Sequence, residues 1–462
     1  LGRAVSLDIQ KTLLPPKIDG VLNDEVWKNA KGYSDFISFY PDYGKVCEEK
    51  TLVYSAYDAD NLFFAFKCYD RSPGKIIATL GKRDTIGGED LVAIYIDSHN
   101  DGQNAYTFII NPLGIQLDGI TDSNDSADFS SDLVWESAGV MDNEGYTIEV
   151  KVPFTTLRFS QAKIVNMKIG FLRKISRYTE QYAFPEWKPG WAMITQLGLG
   201  QFEGIKYKRV MELLPAATYM KRRDREKDVG DKIIATTDKN LGLTAKIGLT
   251  SDLTLDLTYN PDFSHIEMDE GQVDVNLRVD PLYEEKRPFF QEGLEHIKFA
   301  GCIEGMPVEK IVNTREIIEP IWGLKLSGKI GQSGIINSLF TVDESPTYFE
   351  DLVSAEGKKA IENSYVGIFR YKYLFKKDCY VGGIYTGIKY RNGYHHVGGV
   401  DSKIRFSRFI TAEAFFLHSL SKPSDSVDLF EGSAWTGNIN FENREYNVSM
   451  GYEDLTRDFN LE

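Results

Sequence analysis

The sequence predicts an all-β chain: an N-terminal β-sandwich followed by an antiparallel transmembrane β-barrel. Three observations carry this. Short strand-like runs separated by turn residues fill residues 7–204. Period-2 alternation of apolar and polar residues recurs through residues 205–462. The 462 residues include 25 Tyr, 27 Phe, 6 Trp and 40 Gly, a mixture that suits strands better than helical bundles. No apolar run approaches the ~20 residues of a membrane helix. A helical membrane protein is therefore excluded, whereas a barrel is not, because its strands alternate.

In the first region, Asn23 or Asp24 can cap a short helix that carries Trp27 and Ala30 inward. Strands are expected at Thr51–Tyr57, Asn61–Tyr69, Asp90–Asp97, Ala105–Asn111, Gly145–Val152 and Met167–Ile175. The Asp58–Asn61 run reads as the hairpin turn between the first two. Many short strands with turn signals between them argue for a sandwich. In the second region, Leu241, Leu243, Ala245, Ile247 and Leu249 alternate with small or polar residues. Trp322, Leu324 and Leu326 oppose Lys325, Ser327 and Lys329, and Tyr365, Phe369, Tyr371 and Tyr373 share one face. Arg370, Lys372, Lys389, Lys403 and Arg405 are expected on the other. A barrel in lipid needs this pattern, and a large soluble sandwich or propeller is the alternative it leaves open. Residues 261–320 lack the period and are expected to form a plug or long loop. Met450–Glu462 stops in mid-pattern, which reads as an incomplete form of a longer barrel.

Charge narrows the function. With 53 Lys and Arg against 68 Asp and Glu, the net charge is −15, which disfavours a phosphate backbone as partner; no nucleic acid is expected. From Asp84 to Val150 there is no Lys or Arg, but there are fourteen acids. Ca²⁺, which takes 6–8 oxygen ligands, would relieve their repulsion. The densest part supplies Asp118, Asp122, Asn124, Asp125 and Asp128 as candidate ligands, although the spacing is not that of an EF-hand, and a solvated acidic loop is the plainer alternative. Glu89 and Glu136 are available as a glycosidase pair, but with so many acids nothing isolates a proton donor, and no catalytic residue is assigned. His265, Glu267, Asp269 and His296 match no known ligand spacing. Cys47 and Cys68, on neighbouring strands, read as two buried thiols before a disulfide. Trp187 and Trp191 flank a loop-like Lys-Pro-Gly and could lie flat on a sugar ring, whereas Trp27 and Trp135 read as core.

Several motifs resemble the family 9 carbohydrate-binding module. They are Lys17-Ile18-Asp19-Gly20 with Asn23-Asp24 and Trp27; Glu89-Asp90 with Val92, Ile94, Ile96 and Asp97; Asn111-Pro112-x-Gly114; and Gly145-Tyr146-x-x-Glu149 with Val152-Pro153-Phe154. The second region carries Asn260-Pro261-Asp262-Phe263-Ser264 and Glu285-Lys286-Arg287-Pro288-Phe289-Phe290-x-Glu292-Gly293. These are similar to a Bacteroidetes outer-membrane family that joins such a module to a C-terminal domain of unknown function. The resemblance implies a sandwich over 7–204, a barrel over 205–462, a place in the outer membrane of a Gram-negative bacterium, and structural Ca²⁺. It also implies a sugar clamped between two tryptophans. Here no Trp precedes Glu89, so the candidate sugar contacts are Trp187, Trp191, Arg83 and Glu89. Arg173, Arg177 and Glu180 are expected to form ion pairs linking sandwich to barrel. The function expected is glycan capture at the cell envelope without catalysis, with membrane lipid and a glycan as partners. Docking of partner proteins and glycan hydrolysis are the alternatives.

Overall fold

The computed structural model describes residues 5–461 except 124, 130–131, 208, 210, 227–231, 262–284, 286, 292, 303–307, 309–310, 313, 332, 345–362, 377–378, 391–392, 424–427 and 444–445. Among the described residues the chain is nearly all strand, and no helix is long and apolar enough to cross a membrane.

The first region is a sandwich of two sheets. The larger has Ile164–Ile175 near its centre, flanked by Leu91–Asp97 and Gly198–Glu203, and continues through Asn104–Ile110 and Gln116–Asp122. The smaller runs Glu136–Asp142, Gly145–Pro153, Asn61–Tyr69, Thr51–Tyr57, with Gln10–Lys11 at its edge. Alternating side chains of both sheets meet between them: the Phe64 and Phe66 rings stand edge-on to Phe171, with centroids 5.6 and 5.8 Å away. The expected strands are present, most shifted by one to three residues at an end. The expected helix is Glu25–Asn29, with Val26 and Trp27 buried. Its Asp24 does not cap by side chain but accepts the Lys17 backbone N–H at 3.3 Å.

The second region is an eleven-stranded antiparallel meander: Met211–Glu226, Lys232–Gly248, Leu253–Tyr259, Pro320–Ile330, Gly334–Asp343, Ser364–Lys376, Cys379–Tyr390, Gly393–Arg405, Ile410–Lys422, Phe430–Glu442 and Asn447–Leu455. Among the described residues its first and last strands do not pair with each other. Its polarity is inverted relative to a soluble sheet. Leu241, Tyr259, Trp322, Tyr365, Phe369, Tyr373, Trp435 and Met450 are exposed. Thr254, Asp256, Lys325, Ser327, Asn337, Arg370, Asp401 and Lys403 are buried. Lys246, Asp256 and Lys325 lie side by side across three strands of the inner face, with Lys325 Nζ 3.4 Å from Asp256. Lys389 departs from the expected face. It sits opposite exposed Tyr365 and is itself exposed, because its parity is that of Val381 and Tyr385.

The inner face is not empty. Phe289 and Phe290 stand edge to face at 5.0 Å and pack with Val308, Ile311, Val312 and Ile317 against Leu339, Ile368, Ile384 and Phe415 of the sheet. The described residues between 285 and 319 thus cover the inner face of the sheet.

Candidate functional site

Two of the quoted motifs of the sandwich, those of Lys17–Trp27 and Gly145–Phe154, converge on one buried carboxylate. Glu149 Oε1 accepts Trp27 Nε1 at 2.7 Å, and Oε2 accepts the Asp19 and Gly20 amides at 3.0 and 2.8 Å. Gly20 is required there: its φ is +81°, and a Cβ would lie 2.8 Å from the Val140 side chain. Glu89 joins the next two motifs. It accepts Asn111 Nδ2 at 2.8 Å, while Asn111 Oδ1 accepts the Leu113 and Ile115 amides and holds the turn through Gly114. These contacts account for the motifs as scaffold.

The candidate sugar contacts do not form one wall. Trp187 is buried, not exposed as expected, with its ring centroid 5.0 Å from Phe39 and 5.5 Å from Tyr95. The Pro-Gly turn that suggested exposure instead folds the ring back onto the outer side of the larger sheet, among Ala93, Leu172 and Leu197. Trp191 is half-buried, and its carbonyl accepts Gln196 Nε2. Arg83 reaches Asp118 at 2.5 Å and Asp132 at 2.9 Å. Glu136 is exposed and pairs with Lys151 at 2.7 Å.

The candidate Ca²⁺ ligands are likewise spread. Asp118 is buried, and its carboxylate is already taken by Arg83, by Trp135 Nε1 at 2.9 Å and by the Leu133 amide at 2.6 Å. Asp122 accepts the Ser126 amide, and Asp125 accepts the Met193 amide at 2.9 Å, which ties the acidic loop to the Trp187–Trp191 segment. Asp128 sits opposite Ile120 in the sheet, and Asn124 lies outside the described residues. Among the described residues no three His, Cys, Asp or Glu side chains are grouped so as to hold a metal ion. His265, Glu267 and Asp269 lie outside the described residues.

Several of the fourteen acids meet cations from outside residues 84–150. Lys67 meets Asp142 at 2.8 Å, and Lys151 meets Glu136. From the second region, Lys298 lies 3.3 Å from Asp122, Lys329 pairs with Asp101, and Lys403 donates to Ser123 at 3.2 Å. Ser160 donates to Asp252 at 3.0 Å, and Gly190 abuts Arg408 and Phe409. The acidic end of the sandwich is thereby set against the cationic inner rim of the large sheet. Burial is felt here. Asp97, wholly enclosed, is pushed up to about 7, while burial and then Lys329 push His99 down to about 4. Burial alone would raise Asp101 as well, but Lys329 beside it wins and holds it low.

Arg173 and Arg177 do not link sandwich to barrel as expected. Arg173 is buried and donates to the Glu49, Lys50 and Tyr69 carbonyls and to Thr51 Oγ1, stitching one sheet of the sandwich to the other. Arg177 grips Asp70 at 2.6 and 2.9 Å, and Glu180 accepts the Tyr182 hydroxyl. Cys47 and Cys68 are free thiols; burial raises both, Cys47 to about 11.

On the inner face of the large sheet, Arg370 and Asp401 form a bidentate pair at 2.7 Å. Asp401 also accepts the Ala300 amide at 2.9 Å. Asn337 donates to the Gly293 carbonyl at 2.7 Å, Lys325 donates to the Phe289 carbonyl, and Asp343 accepts the Ile318 and Glu319 amides. Glu285 and Arg287 pair within the inner segment at 2.8 Å. Apart from the Glu285–Arg287 pair, none of these contacts follows from local sequence pattern, because their partners lie 24 to 101 residues apart.

Residues 18–187 match the family model Carbohydrate family 9 binding domain-like, and residues 211–302 match Domain of unknown function (DUF5916). The N-terminal unit is a family 9 carbohydrate-binding-like domain. Solved structures similar to the chain include a carbohydrate binding module family 9 from Caldicellulosiruptor kristjanssonii, in complexes with cellotriose and with glucose. Each is 15% identical, covers 44% of this chain and 93% or 95% of that one, and has a TM-score of 0.31. OmpF of Salmonella typhi in complex with daunomycin is 8% identical and covers 79% of this chain and 89% of that one, with a TM-score of 0.28. At these scores the likenesses add nothing to the fold read from strand pairing. No curated protein matches the chain. The family 9-like domain keeps the scaffold carboxylate Glu149, but not a pair of facing exposed tryptophans at the expected positions.

Proposed function

We propose that this chain is an outer-membrane β-barrel protein of a Gram-negative bacterium, and that its family 9-like domain captures glycans at the cell envelope without catalysis. The observation that carries the reading is the inverted polarity of the eleven-stranded sheet. Large apolar and aromatic side chains face outward, and charges face inward against the described residues between 285 and 319. A soluble protein rarely exposes so wide an apolar surface, whereas lipid requires it. The inner segment, bonded to Asn337, Lys325, Asp343 and Asp401, would plug the lumen at rest. Purified protein reconstituted in planar bilayers should then show little steady current, and a large permanently open conductance would sink the plug.

Glycan capture is tested by an array probed with the whole chain, with Ca²⁺ and again with chelator. The excess of carboxylates over 84–150 is the ground for proposing a structural Ca²⁺. Loss of binding in chelator would support that ion, and unchanged binding would remove it. A second reading, a domain that docks partner proteins in an outer-membrane complex, is favoured by the burial of Trp187, which removes one wall of a clamp. Absence of binding to any glycan by folded protein would move the assignment there.

A further inference from the structure

The direction of the strands gives the large sheet two unlike rims. The chain leaves the sandwich after Gly198–Glu203 and enters the sheet at Met211. In an antiparallel meander every second connection returns to the rim of entry. The connections on that rim are 249–252, 331–333, 377–378, 406–409 and 443–446, none longer than four residues. Those on the opposite rim are 227–231, 260–319, 344–363, 391–392 and 423–429, and all but 391–392 are longer. The sandwich sits on the rim of short turns. Ser160 donates to Asp252 of 249–252 at 3.0 Å. Gly190 abuts 406–409, where a Cβ on it would lie 2.9 Å from the Arg408 carbonyl oxygen. Lys329, just before 331–333, pairs with Asp101, and Lys403, just before 406–409, donates to Ser123 at 3.2 Å. The inner segment arises from the opposite rim, where Asp343 accepts its Ile318 and Glu319 amides. Its Lys298 nevertheless lies 3.3 Å from Asp122 of the sandwich. Its described residues therefore reach from one rim to the other. Outer-membrane barrels keep short turns on the periplasmic side and longer loops outside.

We propose that the family 9-like domain lies on the periplasmic side of the outer membrane, seated on the short-turn rim, while 344–363 and 423–429 face the outside. The inference rests on the outer-membrane reading and narrows it. Any glycan the domain captures is then one of the periplasm, the sugar backbone of the cell wall among them, rather than a polysaccharide of the surroundings. The inner segment is the part of the chain that meets both sides.

The test expresses the whole chain in a Gram-negative host, with Cys47, Cys68, Cys302 and Cys379 replaced by Ala. One exposed cysteine is then added at a time: Ser34→Cys on the sandwich, or Asn363→Cys or Leu429→Cys on the long connections. A membrane-impermeant maleimide is applied to intact cells and to cells with a permeabilised outer membrane. Labelling is read on protein recovered from the outer-membrane fraction. The Asn363→Cys and Leu429→Cys variants should label in intact cells, and Ser34→Cys only after permeabilisation. Labelling of Ser34→Cys in intact cells would overturn the sidedness and leave the outer-membrane reading standing. So would labelling of Asn363→Cys and Leu429→Cys only after permeabilisation. Absence of the wild-type chain from the outer-membrane fraction would overturn that reading itself. If the cysteine-free chain does not fold, a short epitope inserted at the same three positions of the wild-type chain, probed by antibody on intact and permeabilised cells, decides by the same pattern.

Discussion

Glu149 shows how much a single side chain can organise. One carboxylate ties a turn, a helix and a strand through two backbone amides and an indole. Removing it strands three buried donors, so Glu149→Ala should destabilise the family 9-like domain by about 3 kcal/mol, read from urea unfolding followed by Trp fluorescence. Asp97 makes a different prediction. Its folded pKa of about 7 lies above the unfolded value of about 3.9, so the stability linked to it is present in acid and lost as pH rises through about 7. His99, lowered to about 4 from an unfolded value of about 6.5, acts in the opposite sense: its contribution is present above about 6.5 and lost as pH falls towards about 4. The two slopes oppose each other between about pH 4 and 6.5. Asp97→Asn should leave His99 unopposed, so stability should climb more steeply with pH in that window than in wild type. A flatter profile in thermal melts would contradict the assignment. The Glu149 cluster was legible only as separated motifs. That they share one carboxylate was not, because Glu149 is 129 residues from Gly20.

At the scale of elements, the strands were legible because a half-buried strand writes its two faces into alternate residues. Lys389 lies on the exposed face because its parity is that of Val381 and Tyr385 in the same strand, so a charged side chain alone is a poorer guide to the face than the alternation. Trp187 was misplaced because Pro-Gly marks a turn without saying what the turn packs against. The inner segment was visible only as a break in period; what it covers depends on Asn337, Lys325 and Asp401 of distant strands. Its anchoring can be measured. Asp401→Asn leaves Arg370 buried without its counter-charge and should cost about 3–5 kcal/mol, seen as a lower midpoint in thermal melts followed by circular dichroism. Replacing Phe289 and Phe290 together by Ala should loosen the segment and raise current in planar bilayers. Silence at the wild-type level would argue that the segment does not close the lumen.

For the whole molecule, the run of acids without Lys or Arg acquires a second explanation beside a metal ion. Its loops meet cations contributed by the large sheet and inner segment. The Lys329–Asp101 contact should be separable by a charge swap. Lys329→Glu should speed hydrogen exchange in loop 98–103, and adding Asp101→Lys should restore protection, with a coupling of about 1–2 kcal/mol. If the double variant exchanges as fast as the single one, the pair does not hold the junction.

Fold class and the two-faced alternation of the second region were determined by sequence alone, because each is a property of neighbouring residues: period and composition. Tertiary structure alone decided which carboxylate meets which donor, that Arg173 stitches the two sheets of the sandwich, that Trp187 turns inward, and that the apolar face of the large sheet is the exposed one. The physical reason is range. Hydrogen bonds and ion pairs act over a few ångströms between residues a hundred or more positions apart, and only the folded chain brings those positions within reach.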